Sequence, residues 1–180
     1  MKVPWYIHGN WKLEPTQLAN LENNILKVGI FSNNLCTTYK IDCPELGFLK
    51  NFYKDRVDEI AKDQAFYHNS SYNYEFWVQL YNKNATHGIH THFGLGKNVV
   101  ISFVHFLRTT NTQCLRFTNT KEIEIPQQEE GDFIVFPSYV SHQVVTHTSN
   151  YNRIVVAGNI KILEHENQSR DLLSTRPGGL

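Results

Sequence analysis

The sequence predicts a mainly β protein with N-terminal helices, closed into a β-sandwich or jelly roll. Three observations indicate this fold class. Aromatic residues make up 13% of the 180 residues, with eleven Phe and nine Tyr, which favours a β-rich core. From Tyr72 onward, apolar residues recur with the period of two that is typical of strands. Brief polar segments separate these short apolar runs, as they do in sandwiches and jelly rolls.

Two amphipathic helices are predicted in the N-terminal third. The first covers 14–27, "EPTQLANLENNILK", where apolar side chains recur at helical spacing. Pro15 suits its first turn, and Gly29 suits its end. The second runs from Pro44 to about Gln64 and carries an apolar stripe. Between the two helices, "CTTYKI" is a candidate strand.

About eight strands are predicted after the helices. In the first, "YNYEFWVQLYN", alternation places Phe76 and Leu80 on one side of the strand and Trp77 and Tyr81 on the other. The further candidate strands are "NVVISFVHFL", "QCLRFTN", "KEIEIP", "DFIVFP", "HQVVTH" and "NRIVVAGNIKI".

The length suits a single domain that extends over 1–180. We divide it into a helical N-terminal support region at 1–71 and a jelly-roll core at 72–163. The polar last segment, 164–180, ends near a Pro-Gly-Gly sequence, and we expect it to be a mobile tail.

Composition argues against several classes of partner. The formal net charge is zero and there is no block of Lys or Arg, so we expect no nucleic-acid partner. The sequence contains no run of 18 apolar residues and no signal-peptide pattern, so we expect no membrane association. Three cysteines without a CxxC pattern favour a reducing compartment. These features predict a cytoplasmic protein, and they leave its oligomeric state undetermined.

A cluster of histidines lies in "HGIHTHFG". His90 and His92 are separated by one residue, and side chains at i and i+2 of an extended chain point the same way. Their imidazoles can therefore converge on a metal ion, for which neutral imidazole is a common ligand. His87 has a different spacing from both, so we expect it to face away.

Two more residues extend this pattern about fifty residues later. His142 opens a short strand after "EEGDFIVFPSYVS", and Arg153 begins the apolar strand "RIVVAGN". An arginine on a core strand is costly unless an anion meets it, and its rigid fork suits a carboxylate. The alternative is an edge position with the guanidinium in water.

Together, these residues resemble the iron(II)/2-oxoglutarate-dependent oxygenase superfamily, and most closely its prolyl-hydroxylase-like branch. The similarity covers about residues 75–162, and "EGDFIVFPSYVSH" is its most specific part. The residues that carry it are Trp77, Gly88, His90, His92, Phe103, Phe117, Gly131, Asp132, Phe136, Pro137, Ser138, His142, Arg153, Ile154 and Asn159.

The resemblance implies a double-stranded β-helix and a site that binds iron(II) and 2-oxoglutarate. His90, His92 and His142 would be the metal ligands, and Arg153 would hold the far carboxylate of 2-oxoglutarate. These four residues would form the catalytic site. The reaction would be the hydroxylation of a peptidyl or small-molecule substrate, with release of succinate and carbon dioxide.

The sequence departs from the family pattern at two positions. His92 stands where relatives usually have a carboxylate ligand, and a carboxylate from elsewhere, such as Asp132, is a candidate to complete the metal shell. Val155 stands where many relatives place a hydroxyl group that shares the 2-oxoglutarate carboxylate. Tyr81 is a candidate to replace that hydroxyl and thus to bind the cosubstrate.

Two further histidines have less specific interpretations. His105 shares a strand face with apolar residues, and a hydrogen-bonded core histidine is favoured over a residue that supports the metal site. His147 has the opposite parity to His142, and we expect it on the surface.

Three classes of function remain open at this stage. The first is the oxygenase. The second is a cupin-like three-histidine metalloprotein that does not use 2-oxoglutarate, in which Arg153 would be dispensable. The third is a non-enzymatic binding or structural module on a degenerate oxygenase scaffold. Fold-level similarity does not separate them, because one fold hosts many activities.

Overall fold

The computed structural model describes residues 4–63, 71–93, 98–110, 113–118 and 123–163. Both predicted helices are present, as α1 (Pro15–Val28) and α2 (Gly47–Asp63). A single 3₁₀ turn at Pro44–Leu46 directly precedes α2. The strands are β1 (Tyr6–Asn10), β2 (Ile30–Ser32), β3 (Leu35–Thr37), β4 (Ser71–Tyr81), β5 (His87–His90), β6 (Val99–Arg108), β7 (Leu115–Phe117), β8 (Asp132–Pro137), β9 (His142–Val144) and β10 (Arg153–Leu163).

The strands form two antiparallel sheets. The major sheet has seven strands in the order β1-β8-β6-β10-β4-β3-β2, and the minor sheet has three in the order β5-β9-β7. The prediction of a mainly β jelly roll with N-terminal helices is confirmed. The segment "KEIEIP" contributes only an isolated bridge between Glu124 and Phe117 within the described residues.

The N-terminal third contributes strands as well as helices. β1 pairs with β8 at one edge of the major sheet, and β3 pairs with β4 near the other edge. The region assigned to helical support therefore also widens the sheet that carries the site. The boundaries at residues 71 and 163 stay a prediction, and the tail at 164–180 lies outside the described residues.

The two faces of the major sheet bury different side chains. On one face, Val78 and Leu80 pack with the buried stripes of α1 and α2. On the other face, Trp77 and Tyr81 join a second apolar cluster between the two sheets. The alternation predicted for β4 is thus present, because successive strand residues point to opposite faces. The candidate site residues belong to the inter-sheet face.

Neither described helix is long and apolar enough to cross a membrane.

Candidate metal and cosubstrate site

Three histidines converge where the two sheets meet. His90 is the last residue of β5 and pairs directly with His142, the first residue of β9, while His92 follows β5 by two residues. One potential ligand atom from each ring lies within 4.8 Å of the others. The ring centroids of His90 and His142 are 4.2 Å apart. The convergence expected from the sequence is therefore present, and the role of these residues as metal ligands stays a prediction.

Each of the three imidazoles uses its Nδ1 atom to contact an oxygen atom. Nδ1 of His90 lies 2.8 Å from the carbonyl oxygen of Gly88, and Nδ1 of His142 lies 3.0 Å from that of Val140. A carbonyl oxygen only accepts hydrogen bonds, so both Nδ1 atoms carry the proton. The neutral rings therefore keep the Nε2 lone pair free, which is the arrangement that a metal-binding imidazole requires.

His92 has the most elaborate contacts of the three. Its Nδ1 lies 2.6 Å from Oδ1 of Asn159 and 2.8 Å from Oγ of Ser102. Asn159 donates from Nδ2 to Oε1 of Glu75 at 3.1 Å. No role was predicted for Ser102 or Glu75 from the sequence. The signal for Glu75 was its parity with Trp77 and Tyr81 on β4.

Burial favours the neutral forms of His92 and His142. Desolvation lowers the pKa of His142 to about 3, and the nearby His90 and His92 act in the same direction. Desolvation is also the main cause that lowers the pKa of His92 to about 4, although its hydrogen bond to Asn159 opposes the shift. Both rings are therefore neutral at pH 7, and each can offer one nitrogen lone pair to a cation.

Arg153 is buried beside the histidines. Its side chain is 2% exposed, and its guanidinium carbon lies 4.9 Å from the ring centroid of Tyr81 and 5.3 Å from that of Phe106. No carboxylate of the described residues lies within 4.0 Å of this guanidinium, and its Nη1 atom has no hydrogen-bond partner there. Burial lowers the pKa of Arg153. An anion that enters the site would supply the missing partner.

Tyr81 lies next to Arg153 in the paired strands β4 and β10. Its hydroxyl donates to Oε1 of Gln79 at 2.9 Å and also contacts the guanidinium of Arg153. Burial raises the pKa of Tyr81 to about 12, although the charge of Arg153 opposes the shift. Val155 lines the same cavity with an apolar side chain. The Tyr81 hydroxyl therefore lies against the guanidinium of Arg153, and its role in binding a cosubstrate stays a prediction.

His87 does not face away from the site, so that expectation was wrong. Its ring stacks on His90, with centroids 4.3 Å apart and an angle of 21° between the planes. In the β5–β9 ladder, His87 pairs with Val144 while His90 pairs with His142, so three residue steps on β5 match two on β9. This bulge turns His87 onto the same face as His90. Gly88 was the available signal, because a glycine inside a strand often marks a bulge.

Two neighbouring cavities share the histidines in their walls. A narrow inner cavity of about 30 Å³ contains Arg153, and an outer cavity of about 480 Å³ opens from the same rings. Both are bounded by Trp77, Gln79, His87, His90 and His92. The outer cavity also has Leu35, Thr37 and Tyr39 in its wall. Residues from the N-terminal third therefore help to form the opening above the candidate metal site.

Three other predicted positions lie away from the site. His105 is a core residue on the helix side, with Nδ1 2.8 Å from the Tyr53 hydroxyl and Nε2 2.7 Å from the carbonyl oxygen of Trp11. The favoured interpretation of His105 is confirmed.

The other two expectations were wrong. His147 is fully buried. Its Nε2 hydrogen-bonds to the carbonyl oxygen of Tyr151, and its backbone N–H donates to the carbonyl oxygen of Ala85. Asp132 does not complete the metal shell. Its carboxylate accepts from Asn10 and from the backbone N–H of Glu129, and so fixes a turn.

Comparisons with known proteins bear on the fold. No protein-family model matches the chain, and no curated protein sequence matches it significantly. Many solved structures match it in three dimensions. A prolyl-4-hydroxylase from Pseudomonas putida gives a TM-score of 0.66 at 15% identity, over 89% of this chain and 93% of that one. This chain has the fold of the iron(II)- and 2-oxoglutarate-dependent oxygenases.

Two other structures with this oxygenase fold were solved with bound molecules. A prolyl hydroxylase from Trichoplax adhaerens, in complex with a hypoxia inducible factor peptide, gives a TM-score of 0.62 at 11% identity over 87% of this chain and 83% of that one. HygX from Streptomyces hygroscopicus, with nickel, 2-oxoglutarate and hygromycin B bound, gives a TM-score of 0.65 at 7% identity, over 88% of this chain and 83% of that one. At these identities the likeness concerns the fold.

Proposed function

We propose that this protein is an iron(II)- and 2-oxoglutarate-dependent oxygenase that hydroxylates a peptidyl or small-molecule substrate. The observation that carries the proposal is the buried guanidinium of Arg153, which has no carboxylate partner among the described residues and lies beside three histidines with free Nε2 atoms. A buried charge of this kind is costly unless an anion compensates it.

The residues present fit a divalent metal ion. His90, His92 and His142 bring their ligand atoms within 4.8 Å of one another, and Nδ1 hydrogen bonds fix the orientation of all three rings. Three imidazole ligands would leave further coordination positions of such an ion open to a cosubstrate. We assign these three residues as the metal ligands.

The residues present also fit 2-oxoglutarate. Arg153 would bind its far carboxylate through parallel charge-assisted hydrogen bonds, and the Tyr81 hydroxyl lies against the same guanidinium. The keto-acid end would then point toward the histidines. When bound, iron(II) and 2-oxoglutarate would supply the electrons that activate dioxygen, so that 2-oxoglutarate, dioxygen and a C–H bond give succinate, carbon dioxide and an alcohol.

The chain's own residues would bind and orient the reactants. The buried rings of Tyr81 and Phe106 exclude water from around Arg153, which strengthens its attraction for a carboxylate. The outer cavity, which shares His90 and His92 with the inner one, is the place for the substrate. Proteins with the same fold hold a peptide in one case and hygromycin B in another, which is why both substrate classes remain in the proposal.

The test is spectroscopic and does not require the substrate. Metal-free protein is mixed with iron(II) and 2-oxoglutarate without oxygen, and we expect a visible metal-to-ligand charge-transfer band. The variant His142→Ala should lose the band, because one of three ligands is gone. Gln143→Ala changes the neighbouring residue of the same strand and should keep it. Admission of oxygen should then release succinate from the wild-type protein.

Two results would replace this proposal by the alternatives. Tight iron(II) binding without any band on addition of 2-oxoglutarate would indicate a three-histidine metalloprotein that does not use this cosubstrate. The absence of metal binding altogether would indicate a non-enzymatic module.

A further inference from the structure

Three polar residues form a row across the major sheet, directly beneath His92. In the strand registers, Asn159 of β10 pairs with Glu75 of β4 on one side and with Ser102 of β6 on the other. Their side chains are joined by hydrogen bonds, since Ser102 donates to Oδ1 of Asn159 at 3.0 Å and Asn159 donates to Glu75 at 3.1 Å. The row therefore connects a carboxylate to a candidate metal ligand through one amide.

The direction of these hydrogen bonds follows from the chemistry of Glu75. An ionised carboxylate only accepts hydrogen bonds, so the amide NH₂ of Asn159 must face Glu75. The carbonyl oxygen of Asn159 then has to face His92, and an oxygen there requires a proton on Nδ1 of that ring. In the neutral ring, Nε2 is left as a lone pair. One carboxylate thus determines which nitrogen of His92 can bind a cation.

We propose that Glu75 is a positioning residue that sets the tautomer of His92 through the amide of Asn159. This inference rests on the metal site of the proposed function, and it applies at the position where the family resemblance implied a carboxylate ligand. The chain keeps a carboxylate near this position, but in contact with Asn159 rather than with the ion.

Lys161 supports the arrangement from the far side. Its ammonium group lies 2.6 Å from Oε2 of Glu75, so this oxygen is occupied and Oε1 is left to accept from Asn159. The cation is half-buried, as is the carboxylate. The pair holds Glu75 in place at the edge of the outer cavity.

Reversal of the hydrogen bonds provides a sharp test. In Glu75→Gln, residue 75 can offer an NH₂ group, so the amide of Asn159 is free to turn and present its own NH₂ to Nδ1 of His92. That orientation favours a proton on Nε2, where it blocks the metal. In the double variant Glu75→Gln with Asn159→Asp, residue 159 becomes the acceptor-only group. An acceptor is then restored opposite Nδ1 of His92, residue 75 now donates to residue 159, and the number of carboxylates is unchanged.

The experiment measures metal affinity and the tautomer separately. Cobalt(II) is titrated into metal-free protein and followed by its visible d–d absorption. We expect Glu75→Gln to weaken cobalt(II) binding about 10-fold or more, as is usual when a residue that orients a ligand is changed. The double variant should recover to within about threefold of wild type. Asn73→Ala alters an exposed residue two positions before Glu75 and serves as the matched control.

The second readout is the long-range proton–nitrogen NMR spectrum of metal-free protein labelled with nitrogen-15 in histidine, with His92 assigned from His92→Gln. The proton of His92 should reside on Nδ1 in wild type and in the double variant, and be distributed over both nitrogens in Glu75→Gln. Glu75→Met, which removes the acceptor without adding a donor, gives a second test of the same kind. Circular dichroism verifies that each variant is folded.

The two proposals fail in different ways. Wild-type protein that does not bind cobalt(II) would contradict the proposed function, whereas the NMR result concerns the metal-free protein alone. If Glu75→Gln binds cobalt(II) as tightly as wild type, or if the double variant binds as weakly as the single one, Glu75 does not set the tautomer and the inference is overturned.

Discussion

Replacing Arg153 by methionine should change two properties of the protein in opposite directions. The guanidinium is 2% exposed and has no carboxylate within 4.0 Å among the described residues. A buried charge without a partner costs several kcal/mol, and the ring contacts with Tyr81 and Phe106 offset only part of this cost. Methionine fills a similar volume without the charge. We therefore expect the metal-free variant to be more stable than wild type.

The magnitudes follow from general energetics. Replacement of a buried ionic group by an apolar one typically adds about 1–4 kcal/mol of stability, and we expect about 2 kcal/mol here. For a chain of this size, that corresponds to an increase of roughly 4–8 °C in Tm. The loss of two charge-assisted hydrogen bonds should cost about 3 kcal/mol in the binding of 2-oxoglutarate. The affinity would thus fall roughly 100-fold.

Both quantities are directly measurable. Calorimetric unfolding of the metal-free proteins gives the change in Tm. An anaerobic titration of 2-oxoglutarate into the iron(II) form gives the change in affinity. Arg108→Met is the matched control, since Arg108 binds Glu22 at 2.8 Å and its loss should not stabilise the protein. If Arg153→Met lowers Tm and leaves 2-oxoglutarate affinity unchanged, Arg153 is a structural residue and the reasoning above is refuted.

Two further predictions concern histidines that do not belong to the candidate metal triad. His87→Ala removes the ring stacked on His90 and should weaken cobalt(II) binding several-fold. His87→Phe keeps a flat ring and should bind cobalt(II) like wild type. Equal affinities of the two variants in a cobalt(II) titration would exclude a role for stacking. Burial lowers the pKa of His105 to about 4, below its usual value of about 6.5. Between these two pH values the unfolded state binds more protons than the folded state. The stability of the fold therefore decreases as the pH is lowered through this range. His105→Gln should reduce the loss of unfolding free energy between pH 7 and pH 5 by about 2 kcal/mol in urea titrations, and an unchanged loss would show that His105 is not responsible.

Much of the fold was predictable because its signals are local. The helix of 14–27 was recognisable from its spacing of apolar residues and from Pro15, and the observed helix is Pro15–Val28. The alternation in β4 likewise predicted that Trp77 and Tyr81 share a face. The strands β1 and β2 were missed because each is short, with five and three residues. In addition, the partner of β1 is the distant β8, and the side chains of β2 are exposed. A strand of this kind is defined by its neighbours rather than by its own period.

The candidate site was predictable in part. His90 and His92 were selected from their spacing, whereas the roles of His142 and Arg153 were implied by the family resemblance. The structure brings all four residues to one inter-sheet location. His87 was placed on the wrong face because a bulge changes the parity of the strand, and sequence periodicity does not detect a single inserted residue. His147 was placed on the surface because its burial depends on the loop that carries Tyr151.

The sequence by itself determined which elements and candidate site residues the protein has, namely its helices, its main alternating strands and the spacing of the histidines and the arginine. The helices, the alternating strands and the His90–His92 pair depend on residues a few positions apart, so local periodicity is enough to predict them. The tertiary structure decided which groups are buried and which nitrogen of each imidazole is free. It also decided that hydrogen bonds connect Glu75 to His92 through Asn159. Such properties arise from contacts between strands that are tens of residues apart along the chain, where register and packing rather than local pattern determine what each side chain meets.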